Sequence, residues 1–169
     1  MHFYLPLLLL VLLTACDGNT AARKAARGEN FVAAPNHIFF KNTRARHYRA
    51  EEIAERATIY RHDNLFDSDA RLRPALIDNW LQDRALIRFE TDPVTAGWQL
   101  EAGTDTGWAV VPLTVPPSNQ ELTHLSEQLG SRAGLRLVTA RDTLTAFPTE
   151  ASRKEARLVI TDYLRLVEN

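Results

Sequence analysis

An uncharged apolar run, Phe3 to Leu13, ends just ahead of Cys16, the only cysteine in a chain of 169 residues. Both parts of that feature constrain what can fold. The stretch from Tyr4 to Leu13 is about ten residues long and contains Pro6, whereas a helix crossing a bilayer needs ~20 apolar residues. The run is too short to span and has the length of a signal-peptide core. A single cysteine excludes internal disulfides, so the rest of the chain must stand on its hydrophobic core alone. Residues 16–169 have the size of one domain and can bury roughly two thirds of their unfolded surface. A formal net charge of −1 with 24% charged residues argues against a nucleic-acid partner. No internal repeat is visible.

Leu13-Thr14-Ala15-Cys16 resembles the lipobox of bacterial lipoprotein precursors, in which small residues precede a cysteine that becomes the new N-terminus. The resemblance implies cleavage after Ala15 and palmitate-type acyl chains on the Cys16 thiol and, later, its amine. It implies a membrane-anchored lipoprotein of the bacterial cell envelope, with the domain in the periplasm or an equivalent space. The segment Met1-His2-Phe3 departs from the pattern in having no Lys or Arg. The alternative is a plain secretory signal cut after Ala15, leaving a free thiol. Asp17 resembles an inner-membrane retention signal of some Gram-negative bacteria. Sorting rules differ between lineages, so both membranes stay open.

The chain then divides into a signal peptide (1–15), a lipid-anchored tether (16–34) and one folded domain (35–169). The tether holds Gly18, Asn19, Gly28 and Asn30 and no large apolar residue before Phe31. Arg23, Lys24 and Arg27 lie close enough to an anionic membrane surface to contribute ~1 kcal/mol each, or they simply solvate a linker.

Within the domain, His37–Phe40 is β-branched and aromatic and predicts a strand. Asn42 or Thr43 then caps a predicted helix reaching about Arg56, where Glu51, Glu52 and Glu55 interleave with Arg46, Arg49 and Arg56. Ala57–Tyr60 predicts a strand and Asp63–Asp69 a polar turn. In 70–83, Leu72, Leu76 and Trp80 favour a helix over a short strand at Ala75–Ile77. Ala85–Glu90 predicts a strand. Trp98–Ala102 and Trp108–Leu113 predict a hairpin around a loop of about five residues, Gly103–Gly107. Ser118 and Glu121 form a capping box ahead of Leu122, Leu125 and Leu129, with Gly130 as the stop. Leu135–Ala140 and Leu144–Phe147 predict strands joined at Arg141-Asp142-Thr143. The last helix starts at Thr149 or Ser152, with Glu155 as box partner and Ala156, Val159, Ile160, Tyr163, Leu164 and Val167 as its buried stripe. Strands linked by turns, with two or three helices, predict an α+β fold on a mainly antiparallel sheet.

Phe39-Phe40-Lys41-Asn42-Thr43, Asp78-Asn79-Trp80 and Thr161-Asp162-Tyr163-Leu164-Arg165-Leu166 resemble segments of small uncharacterised bacterial lipoproteins. That group has no catalytic or binding residues to carry over.

The residues supply no catalytic constellation. No serine sits in a Gly-x-Ser-x-Gly elbow, and Ser118 and Ser152 read as caps. Acylation would consume Cys16. No two of His37, His47, His62 and His124 have zincin spacing. His62, Asp63, Asp67 and Asp69 cluster, but without the central Gly and distal Glu of a calcium loop. Glu51, Glu52, Glu90, Asp92 and Glu101 are carboxylates without a pairing visible in sequence. Gly103-x-x-x-Gly107 lacks the Lys-Ser/Thr of a phosphate loop. No catalytic, cofactor or metal residue is therefore assigned. Two surfaces could bind: Arg44, Arg46, His47 and Arg49 around Tyr48 as an anion patch, and Trp98 with Trp108 side by side across their hairpin.

The leading reading is a non-enzymatic binding or accessory module, anchored to the membrane through lipid on Cys16, whose partner is an envelope protein or glycan. The alternative is an envelope hydrolase acting on glycan or peptide. Cys16→Ser should abolish acylation and leave the chain unprocessed or released from membranes, read by fractionation and intact mass. Recovery of the variant as a mature species in the wild-type membrane fraction would contradict the anchor.

Overall fold

The computed structural model describes residues 35–53, 57–79, 84–94 and 97–167. The signal segment 1–15, the tether 16–34 with Cys16, and Trp80 lie outside the described residues. Eight strands form two antiparallel sheets among the described residues, and the fold is α+β. The first sheet is a meander of β1 (Tyr48–Ile53), β2 (Ala57–His62), β3 (Leu72–Asn79) and β4 (Arg84–Thr91), in that order. The second holds β5 (Gln99–Thr104), β6 (Gly107–Val111), β7 (Leu135–Val138) and β8 (Thr143–Thr145), ordered β6-β5-β7-β8.

Helix α1 (Pro35–Phe39) runs into a π-turn (Phe40–Arg44) and a 3₁₀ turn (Ala45–His47). A single turn, α2 (Asp63–Phe66), follows β2. The two long helices are α3 (Asn119–Gly130) and α4 (Glu150–Val167). α4 packs on α3 and across β3 and β4. One core results: Tyr60, Leu72, Leu76 and Ile87 of the first sheet meet Leu100, Leu135 and Leu137 of the second. Leu122, Leu125 and Leu129 of α3 and Ala156, Val159, Ile160, Tyr163 and Leu166 of α4 close it. Burying each such large apolar side chain contributes roughly 1.5–3 kcal/mol.

The capping box of Ser118 and Glu121 forms in both directions. At α4 the reciprocal pair is Thr149 with Ser152, each side chain bonding the other's backbone N–H. Glu155 is thereby free to face β2. The Trp108 hairpin is tighter than predicted, because Thr104 pairs with Gly107 and only Asp105-Thr106 turn. Gly107 supplies the positive φ of 141° there.

Three expected elements are corrected. The strand expected at His37–Phe40 is helical. His37, Phe40, Lys41 and Arg44 recur at helical spacing, and each finds a partner remote in sequence, whereas Ile38 and Phe39 stay about half exposed. The helix expected to about Arg56 is instead the end of the π-turn, the 3₁₀ turn and strand β1, with 54–56 outside the described residues. Of its interleaved charges, Glu51 accepts from Arg61 of β2 at 2.6 Å and Arg49 pairs with Asp63 and Asp67. The helix expected over 70–83 is strand β3. Leu72 and Leu76 are four apart, a spacing that puts residues on one face of a helix and of a strand alike. Pro74 is tolerated because the β2 ladder ends at Tyr60–Leu76, before reaching it.

Candidate functional site

Two carboxylates lie buried on the core side of the first sheet. Asp162 of α4 is 3% exposed and accepts from Tyr48 Oη at 2.7 Å and from Arg44 Nε at 3.0 and 3.1 Å. Asp78 of β3 is 2% exposed. His37 Nδ1 stands 3.2 Å from its Oδ1, within ion-pair reach but off the line of a hydrogen bond, and Lys41 Nζ is 3.4 Å from its Oδ2. Burial and then the Asp162 charge push the Tyr48 hydroxyl far above its ordinary range, so it remains a donor.

Beside Asp162, a small cavity of about 220 Å³ is lined by Arg44, His47, His62, Asp63, Asn64, Glu155 and Leu158. His62 is 5% exposed, with Nε2 3.5 Å from Glu155 and its ring 4.9 Å from that of Tyr48. Burial lowers its pKa; Glu155 opposes that shift and Arg44 reinforces it. Among the described residues, no Ser, Thr or Cys lines this cavity.

A larger concavity lies on the outer face of the first sheet. In register, Arg73 faces Glu90, and Ala75 faces Arg88. Arg61 of β2 crosses to Glu90 with two hydrogen bonds, of 2.8 and 3.0 Å, and turns its third nitrogen on Glu51. Arg88 joins Glu90 at 2.5 Å, and Arg73 holds Asp92 at 3.0 Å. Phe66, Phe89 and Trp98 supply aromatic walls, with Phe89 and Trp98 edge to face at 6.3 Å. The groove measures about 670 Å³ and Val94, 96% exposed, stands at its rim. Burial alone would raise the Glu90 carboxyl, but the hydrogen bonds and charges of Arg61 and Arg88 outweigh it and hold Glu90 below the usual carboxylate range.

The anion patch does not assemble. Arg44 is committed to Asp162, Tyr48 is buried beneath it, Arg46 donates to His47 at 3.2 Å, and Arg49 is taken by Asp63 and Asp67. Trp98 and Trp108 are not brought together. Trp98 packs against the core beside Phe89 and enters the groove, while Trp108 stands 48% exposed on the second sheet, under Arg136 at 4.1 Å. Glu101 is held by Arg136 at 2.7 Å. Among the described residues no group of three or more His, Cys, Asp or Glu is placed to hold a metal ion. The Arg61–Glu90 pairing escapes a sequence reading because β2 and β4 are not neighbours in any local pattern. Only the strand alternation in Arg88-Phe89-Glu90 points toward it.

No family model, no curated protein and no solved structure matches this chain.

His62 gives the centre a pH signature. Its folded pKa lies below its unfolded value, so its contribution to stability is complete above ~6.5 and is lost as pH falls through the lowered value. Thermal unfolding from pH 7 to 5 should show the wild type losing stability faster than His62→Gln. Parallel pH profiles would contradict it.

Proposed function

We propose that this chain is a lipid-anchored protein of the bacterial cell envelope and that its domain binds another envelope component, a protein segment or a glycan, in the groove on the outer face of the first sheet. The observation that carries this reading is the state of the groove's carboxylates. Glu51, Glu90 and Asp92 are each paired with an arginine of the same groove. Glycoside or peptide hydrolysis by carboxyl groups needs one that is free to give up a proton, its pKa raised by its surroundings. Glu90 is held the other way.

A fixed ladder of guanidinium and carboxylate groups beside the exposed Phe66 and the half-buried Phe89 and Trp98 is suited instead to recognition. Its charges are oriented before the partner arrives, which lowers the ordering cost of binding. Its aromatic walls offer apolar faces to a sugar ring or a side chain. Phe66 and Arg88, 39% and 49% exposed, are the reachable members of the two kinds.

Affinity capture of the full chain from envelope membranes, read by mass spectrometry, tests this. Phe66→Ala with Arg88→Ala should lower recovery of the partner about tenfold, the loss of roughly one hot-spot contact, while His124→Ala on the exposed face of α3 should not. Capture unaffected by the groove substitutions, or release of glycan or peptide fragments from envelope material by the purified chain, would overturn the proposal.

A further inference from the structure

Among the described residues the two sheets end in four edge strands, and three are guarded against pairing. β1 carries Arg49, Glu51 and Glu52, β4 carries Arg84, Arg88 and Glu90, and β8 is only the short run Thr143–Thr145. Charges and shortness are the usual protections of an edge. β6 has none of them. Gly107-Trp108-Ala109-Val110-Val111 contains no charge and no proline, and among the described residues β5 is its sole sheet neighbour. Gly107 through Val110 are all exposed, Trp108 to 48% and Val110 to 53%.

The exposed tryptophan is also fixed in place. The ring lies against two glycines: a Cβ on Gly134 would come within 3.2 Å of Trp108 Cη2, close enough to press on the ring, and one on Gly103 would stand in ordinary contact at 3.8 Å from Cζ3. Arg136 stacks 4.1 Å from the ring centre and is itself held by Glu101. An aromatic ring ordered in this way and left open on one side presents a pre-positioned contact.

We propose that β6 is a self-association edge, pairing antiparallel with β6 of a second copy of this chain about a two-fold axis at Ala109. The pattern is self-complementary. Such an axis sets Trp108 opposite the second copy's Val110, and Val110 opposite its Trp108. Aromatic and β-branched residues are favourable cross-strand partners. Two identical uncharged strands repel nothing, and β6 offers no charge by which a differently charged peptide would be selected. Five residues of ladder bury far less than the ~1,200 Å² of a stable interface, so the pair is weak in dilute solution and is best caught by cross-linking.

Ala109→Cys in the full chain, oxidised mildly in intact cells, reads the geometry directly. Antiparallel pairing at the axis brings the two Cα atoms to about 4.5–5.5 Å, within disulfide reach. The proposal expects a dimer in which the introduced thiols of the two copies are joined to each other, identified by peptide mass. Its yield should be at least about tenfold above that of Thr143→Cys on the β8 edge, where no such approach brings the thiols within disulfide reach. The wild-type chain, whose sole thiol is Cys16, should give none of this linkage. Equal yields at the two edges, no disulfide between the introduced thiols, or a mixed disulfide with a different protein would overturn the proposal.

Discussion

The fold depends on Asp162. This carboxylate sits on the core face of α4, 3% exposed, and is held by donors from more than a hundred residues earlier in the chain: Arg44 from the π-turn and Tyr48 from β1. A buried charge of this kind costs several kcal/mol unless it is compensated, and removing one partner is far worse than never having made the pair. Through Asp162 the first described segment is tied to the last. Asp78 makes a second tie, from β3 to His37 and Lys41 one helical turn apart. Between these anchors Phe40 packs edge-on against Tyr48 and Tyr60 at 5.4 and 5.3 Å, which fixes the angle at which the segment meets the sheet.

This arrangement separates two surfaces. Tyr48, Tyr60, His62, Leu76 and Asp78 turn inward, where Tyr48 and His62 meet Asp162 and Glu155 of α4 and Asp78 meets His37 and Lys41. Arg61, Arg73, Arg88 and Glu90 turn outward on alternate residues of the same strands and build the groove. The period of two makes both surfaces from one set of strands. Because the inward face is closed by α4, the outward face can carry charge without weakening the core.

What sequence discloses follows the range of the forces involved. The capping box at Ser118, the Leu122–Leu125–Leu129 stripe and the Trp108 hairpin are set by contacts a few residues apart, and all three are present. The segment 35–47 departs from its expected strand and helix because its conformation is decided by Asp78 and Asp162, far along the chain. Its residue types alone, Ile and Phe among them, favour a strand. Leu72 and Leu76 satisfy both periods, so β3 cannot be told from a helix there. The candidate site is legible only in its parts. Trp98, Glu90 and Asp92 stand out in the sequence, but Arg61 and Arg73 become groove residues only through the register of β2, β3 and β4. Asp162 gives no warning at all, being one carboxylate in a helix whose stripe reads as apolar.

A double-mutant cycle on Arg44 and Asp162, measured by denaturant unfolding, probes this dependence most directly. If Asp162 ties the two ends, Asp162→Asn and Arg44→Met should each cost about 3–5 kcal/mol, and the double variant should cost at least about 1.5 kcal/mol less than their sum, because neither residue then leaves a buried charge behind. Additive losses, or single losses under about 0.5 kcal/mol, would show that apolar packing alone holds the segment and that the Asp162 cluster is incidental to the fold.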